Sequence, residues 1–248
     1  MNKITETVIE ADPGLPVIRM TRDFAATPGQ LLRAHTDPAL FARWAGTPSW
    51  KGCSPMALSD RPAERHREVA GLFTDRVRGT RSWDAPSPVA GWAARDVVRH
   101  LTEWLPEFLA SGAGLELPRG PSVDENPVAA WQVHRDAVQA VLDDPETAHR
   151  ELVNPHFGSL PLDTAIDQFY TADVFMHTWD LARATGQDDR LDPDFCAQLL
   201  GGMEQMEQVI RASGQYGARV EVPAGADTQT RLLGFIGRDP FWPGAPGT

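Results

Sequence analysis

The sequence predicts a mainly α-helical protein. The expected form is an antiparallel four-helix bundle, with a short strand-and-helix fragment before it and a small extension after it. Two observations carry this expectation. From Pro62 to about Gly214 the apolar residues recur at three- and four-residue spacing, in long windows separated by Pro, Gly and Asp. Before residue 46 the runs are short and strand-like, and the Gly/Pro/Ser-rich stretch 46–56 separates the two regimes. An apolar fraction of 42% and eight Trp supply material for a core.

The elements follow in order. Residues 4–10 and 17–24 read as strands around an Asp12-Pro13-Gly14 turn. Thr27-Pro28 opens a helix with Leu31, Leu32 and Ala34 on one side, and Asp37-Pro38 starts a further helical turn through Phe41 and Trp44. The first long helix runs from Pro62 to about Arg78, with Ser59 or Asp60 as N-cap and Val69, Leu72, Phe73 and Val77 on one stripe. The second runs from about Ala93 to Ser111, and Pro106 is expected to kink it. The third spans Pro127 to about Leu142. The fourth is a long helix from Pro161 to Thr185, closed by Gly186 as C-cap. A fifth begins after Asp192-Pro193-Asp194 and ends near Gly214. Arg219–Val222 reads as a strand, and Thr228 to Ile236 as a short helix.

Bulk properties exclude several classes. A net charge of −11 leaves no basic excess to meet phosphates, so a nucleic-acid partner is not expected. No run of 18 apolar residues occurs, so no membrane span is expected. The first ten residues lack the apolar core of a signal peptide, and Cys53 and Cys196 show no pairing pattern. A cytoplasmic protein is the expectation.

The chemistry concentrates in the fourth helix. Asp173 and His177 are four residues apart, so both leave one face, amid Phe169, Val174, Phe175, Met176 and Leu181. A carboxylate and an imidazole one turn apart make half of a metal site, or equally a buried carboxylate–imidazole pair. On the second helix His100 lies beside Val97 and Leu101 on the apolar side, where it serves either as a third ligand or as a hydrogen-bonded core residue. Two His and one carboxylate bind Zn²⁺, Ni²⁺ or Fe²⁺ when open positions remain. Asp180 is placed to accept from an imidazole N–H, from Trp92 or Trp104, or to lie at the surface. Glu103, at i+3 from His100, is the candidate general base or a surface charge. Tyr170 is a pocket-lining candidate or a core residue with a bonded hydroxyl, and Arg238 and Arg231 are candidates for an acidic ligand or for surface pairs. His66, His134, His149 and His156 show no partner pattern and are expected to be solvated.

Several motifs carry a resemblance. Gly91-Trp92 followed by Arg95-Asp-Val-Val-Arg-His100-Leu101, then Phe157-Gly-Ser-Leu-Pro161, Asp173-x-x-x-His177-x-Trp179-Asp180-Leu-Ala-Arg-Ala-Thr-Gly186 and Arg231-Leu-Leu-Gly-Phe-Ile-Gly-Arg238-Asp239-Pro240 together resemble the mycothiol-dependent maleylpyruvate isomerase-like proteins of the DinB/YfiT superfamily. The resemblance covers about residues 57–240, with 241–248 as a tail. It implies a bundle holding a divalent metal through His100, Asp173 and His177, with Zn²⁺ first among the ions. It also implies a thiol such as mycothiol as co-substrate and a small electrophile as substrate. The isomerase carries Glu where this chain has Asp173, one methylene shorter, and it has a C-terminal domain for the thiol that this short tail does not match. Residues 17–46, with Thr21-Arg-Asp-Phe24, Thr27-Pro28 and His35-Thr-Asp-Pro38, resemble the opening of a helix-grip (SRPBCC, START-like) domain. That domain needs roughly a hundred more residues of sheet and helix. Residues 1–50 therefore read as a truncated fragment, with 51–56 as linker. The rival to that reading is an adornment docked on the bundle.

The first functional expectation is a thiol-dependent isomerase or transferase. Thiolate addition to a conjugated double bond, rotation and elimination would interconvert cis and trans isomers. The alternatives are a non-catalytic metal- or ligand-binding bundle, with a homodimer as its assembly, and a metal-free bundle with a buried His/Asp network.

Overall fold

The computed structural model describes residues 8–11, 18–21, 57–155, 158–212 and 214–244. The chain divides into two compact units, Met1–Ser54 and Pro55–Thr248. In the first, β1 (Val8–Ala11) and β2 (Ile18–Thr21) pair antiparallel, Val8 opposite Thr21 and Ala11 opposite Ile18. The expected helices after Thr27-Pro28 and Asp37-Pro38, the linker, and the last four tail residues lie outside the described residues.

The second unit is mainly helical. Helix α1 (Pro62–Gly79) starts on a proline whose missing N–H would have been unpaired in any case. It buries Val69, Ala70, Phe73 and Val77. Leu72, expected on that stripe, is 40% exposed. The expected cap is also displaced. Arg61 occupies the N-cap position without a side-chain bond, and the Ser59 hydroxyl instead donates to Glu64 Oε2 at 3.0 Å. Helix α2 (Ala94–Ala113) runs on through Pro106 and ends at Gly114, whose φ of +60° favours glycine. Its Asp96 carboxylate accepts the Ala93 N–H at 2.8 Å and so satisfies one free donor of the first turn. Helix α3 (Pro127–Asp143) is capped by Asn126, which accepts the Ala129 N–H at 3.0 Å. A single turn, α4 (Pro145–Ala148), leads into a hairpin of β3 (Glu151–Asn154) and β4 (Gly158–Pro161).

That hairpin was not anticipated. Its strands have four residues each and fully bury Leu152 alone, too little for a strand periodicity to register. Leu152 is fully buried against α2, at the point where Gly112 leaves room: a Cβ there would come within 2.9 Å of the leucine side chain.

The expected long fourth helix is continuous along the chain but not in hydrogen-bond register. It consists of α5 (Leu162–Ala165), a π-helical segment (Ile166–Thr171) and α6 (Ala172–Thr185). At the junction the Ala172 N–H reaches back five residues to the Asp167 carbonyl. The C-cap is Gly186, at φ +68°.

After it, the expected fifth helix is interrupted. Helix α7 (Pro193–Gln205) ends at Met206, where φ −113° and ψ 17° leave the helical well, and α8 (Glu207–Ala212) follows. Residues 219–222 form no strand. The Val220 N–H donates instead to the Gly234 carbonyl at 2.8 Å, near the end of α9 (Thr228–Phe235). Helix α9 packs on α7.

The core is built by α1 and α2, each of which packs against both α3 and α6. Trp131 of α3 is fully buried against Phe73 of α1, ring centroids 4.5 Å apart, and its Nε1–H donates to Thr74 Oγ1 at 2.9 Å. An indole buried with its N–H bonded contributes apolar area without an unpaired donor. Helix α6 is buried nearly all round, from Val174 to Ala182. Such a helix lies inside a domain and not at its surface. Among the described residues no helix is long and apolar enough to cross a membrane.

Candidate metal centre

Three side chains from two facing helices meet beside this core. His100 projects from α2, and Asp173 and His177 from α6. One donor atom from each lies within 4.8 Å of the others. His100 Nε2 stands 3.0 Å from Asp173 Oδ2, and His177 Nε2 stands 3.5 Å from Asp173 Oδ1. Ligands about 2.1 Å from a tetrahedral ion lie roughly 3.4 Å apart, so both spacings suit shared coordination. The two imidazole rings meet edge to face at 4.9 Å.

Burial grades across the site. The His177 side chain is 6% exposed, Asp173 18% and His100 33%, so the cluster opens toward solvent on the His100 side. Trp92 stacks on His177, its ring inclined by 17° at 5.8 Å, and lies 5.2 Å from the His100 ring. Trp104, one turn after His100, donates its Nε1–H to Asp173 Oδ2 at 3.0 Å. Burial opposes the charge on Asp173. The neighbouring His177 and the bonds from His100 and Trp104 outweigh it and hold the carboxyl below its ordinary value.

Behind His177 lies a second layer. Asp180 is fully buried, and its Oδ2 is 2.8 Å from His177 Nδ1. The imidazole N–H is poorly aligned on that oxygen. This carboxylate oxygen, 2.8 Å away, is the contact that keeps the proton on Nδ1. The Nε2 lone pair is then directed at Asp173 and His100. Arg238, beyond α9, grips Asp180 from the other side: Nε donates to Oδ1 at 2.9 Å and Nη2 to Oδ2 at 3.1 Å. Burial penalises both charges, but their attraction prevails, so the Asp180 carboxyl is held down and the Arg238 guanidinium up.

The candidates of the sequence thus separate. His100, Asp173 and His177 come together. Asp180 is neither a surface residue nor an indole acceptor, because Arg238 and His177 surround it and Trp104 bonds Asp173 instead. Arg238 directs its Nε and Nη2 to Asp180 and not outward to a ligand. Glu103, although only three residues past His100, is exposed and is not among the side chains that meet at the cluster. Tyr170 is fully buried, but its hydroxyl has no partner among the described residues, contrary to the bonded hydroxyl expected of a core tyrosine. Arg231 is about half exposed and stands 3.8 Å from Glu204. His66 and His134, expected in solvent, are buried; the side chain of His149 is 72% exposed, and His156 lies outside the described residues. Trp92 and Trp104 were anticipated as partners of Asp180, not as the wall and the donor of the Asp173 cluster. For Trp104 the available signal was its position four residues after His100 on one helix; Trp92 precedes α2 and had no such spacing.

Two relatives come from Mycobacterium tuberculosis: the uncharacterized protein MT0763 of strain CDC 1551 and the uncharacterized protein Rv0738 of strain H37Rv. Each is 26% identical over 184 residues, which span 71% of this chain and 97% of the relative. The chain matches no protein-family profile and no solved structure.

Proposed function

We propose that this chain is a divalent-metal-binding protein of the DinB kind. In this reading it is a thiol-dependent, mycothiol-type isomerase or transferase acting on a small electrophile. The observation that carries the proposal is the donor set: two imidazoles and one carboxylate, each with an atom within 4.8 Å of the others, on two packed helices. The packing of α1 and α2 on both α3 and α6 supports an antiparallel four-helix bundle as its frame. Zn²⁺ suits an N₂O set best, with Ni²⁺ and Fe²⁺ next. When bound, such an ion would favour the thiolate form of a thiol that reaches it.

The chain's own residues would do the rest. His100 and His177 would each offer an imidazole nitrogen, and Asp173 a carboxylate oxygen. Asp180 orients His177, and Trp104 fixes one carboxylate oxygen of Asp173. Trp92 covers one side of the pair and limits the approach of water. The thiol itself must come from a co-substrate as far as the described residues go. Cys196 is buried, and burial, with Asp192 and Asp227 nearby, pushes its thiol up to about 12. The reading places the protein in the cytoplasm, with small-molecule partners, no nucleic acid or membrane, and a homodimer as the expected assembly.

One observation favours a second reading, a metal-free hydrogen-bond network. Asp173 Oδ2 already has both His100 Nε2 and Trp104 Nε1 at 3.0 Å. Elemental analysis of the purified protein, with thermal shifts on adding Zn²⁺ or Ni²⁺, separates the two. Stoichiometric metal or a clear upward shift supports the centre; background metal with no shift decides for the network. Turnover of conjugated electrophiles only when a low-molecular-weight thiol is present then supports the enzyme. No turnover across such a panel, in metal-loaded protein, leaves a binding protein.

A further inference from the structure

Behind the candidate centre, three neighbouring ring side chains in the core each carry a polar atom with no hydrogen-bond partner among the described residues. His66 on α1 is 0% exposed, His134 on α3 is 3% exposed and Tyr170 on the π-helical segment is 0% exposed. His66 Nε2, His134 Nε2 and the Tyr170 hydroxyl are all buried without a hydrogen-bond partner. They also cluster. The tyrosine ring lies 5.5 Å from the His134 ring and 6.1 Å from that of His66. Buried polar atoms in folded proteins are almost always bonded, to protein or to an enclosed small molecule. Three orphan atoms carried on rings this close together can share one partner.

The chemistry of that partner can be narrowed. The Gln139 Nε2 amide donates to the Ala63 carbonyl at 3.0 Å and to Asp143 Oδ1 at 2.9 Å, which fixes the amide and turns its oxygen toward His66. His66 Nδ1, 2.9 Å from that oxygen, must therefore carry the proton. Its Nε2 is then a bare acceptor and needs a donor. Burial lowers both His66 and His134 to about 4, so both rings are neutral near pH 7. Among the described residues no charged side chain bonds any of the three orphan atoms, so a buried ion there would be uncompensated and strongly disfavoured. The partner must be small, neutral and able to donate.

The π turn contributes to this arrangement. Thr74, Thr178 and Thr185 each donate their hydroxyl to the carbonyl four residues back. Thr171, in the π segment beside Tyr170, makes no such bond. The widened turn alters which groups each side chain can reach, and it delivers Tyr170 into the core with its hydroxyl free.

We propose that His66 Nε2, His134 Nε2 and the Tyr170 hydroxyl enclose an internal binding site for one small neutral hydrogen-bond donor, occupied by water in the resting protein. The site is distinct from the His100–Asp173–His177 cluster but adjoins it, since the Tyr170 ring lies 5.7 Å from Trp104, the donor to Asp173. A bound water with three polar partners is a common and persistent part of a protein interior.

The test uses the full chain in two independent measurements. A crystal structure at about 1.5 Å or better should show one ordered water within 2.7–3.2 Å of at least two of the three atoms. Long-range ¹H–¹⁵N spectra of histidine-labelled protein should show both rings neutral at pH 7, with His66 protonated on Nδ1, and should show a nuclear Overhauser contact to slowly exchanging water. In Tyr170→Phe the histidine Nε2 shifts should move while the His66 tautomer stays. Direct Tyr170–histidine bonds with no water between them, an ion at the position, or a His66 proton on Nε2 would each overturn the proposal. The wild-type measurements stand even if the variant does not fold.

Discussion

Replacing Asp180 by Asn probes the buried ion pair behind the candidate centre. Asp180 is fully buried, accepts two bonds from Arg238 at 2.9 and 3.1 Å, and lies 2.8 Å from His177 Nδ1. Asparagine keeps the shape but loses the charge, and its amide N–H₂ must then face a guanidinium or an imidazole donor. Removing one member of a buried pair costs about 3–5 kcal/mol, because the other charge is left unpaired. The Arg238 side chain retains 16% exposure and can regain some water, so the low end, about 3 kcal/mol, applies. For a domain of this size that is a fall of roughly 6–12 °C in Tm. Urea unfolding followed by tryptophan fluorescence measures it directly. Arg238→Met and the Asp180→Asn/Arg238→Met pair complete a double-mutant cycle, in which the double variant should lose at least about 1.5 kcal/mol less than the sum of the singles. If Asp180→Asn costs under about 1 kcal/mol, or the two changes simply add, the buried ion pair does not hold the site and the reasoning fails.

Three further outcomes are expected. His177→Ala should abolish metal uptake where a centre exists, whereas in a metal-free network it should cost about 1–3 kcal/mol with metal at background throughout; elemental analysis and calorimetry distinguish the two. A protein beginning at Met56 should fold and melt within roughly 8 °C of the full chain, since residues 1–54 form their own unit; insolubility or a larger drop would make that segment part of the core. Stability should fall as pH drops from 6.5 toward 4. His66 and His134 are lowered from 6.5 to about 4 by burial, so the unfolded chain binds protons before the folded one does. Each contribution, on the order of 3 kcal/mol, is fully present above the unfolded value and is lost as pH falls to the folded one. Denaturant midpoints across that range, compared with those of His66→Gln/His134→Gln, should show a shallower slope in the variant.

How much of this was legible depended on whether the signal was local. Helix stripes are local, and so are proline starts and glycine ends; the main helices lie close to where their periodicity places them. Leu72 shows the limit, since a residue at the edge of a stripe turns outward when its neighbours fill the interface. The π turn had no signature, because one changed hydrogen-bond register leaves the apolar pattern of residues 162–185 intact. His66 and His134 could have been placed. His66 precedes Val69 by three residues and Phe73 by seven, and His134 lies between Trp131 and Val138, all buried. Both histidines therefore sit on core stripes. What was missing was a partner, and partners such as Gln139 come from another helix at no fixed spacing.

The same reasoning explains the unequal standing of the chain's two ends. On α6 the polar residues Asp173, His177 and Asp180 form one line, at i, i+4 and i+7, along a helix otherwise enclosed by apolar contacts. A carboxylate at each end of that line needs a cation or donors to be tolerated there. Helix α2 serves the first through His100 and Trp104. Among the described residues the second is served by no side chain of the helices that face α6. Its counter-charge is Arg238, 58 residues away and beyond α9, held by the Gly234–Val220 contact and the packing of α9 on α7. The C-terminal extension is therefore part of the structure that keeps His177 oriented, although its sequence reads as a short tail. Residues 1–54, by contrast, form a unit of their own. Shortening the chain at its two ends should thus have opposite consequences for the candidate centre, and the reason lies in a single buried carboxylate.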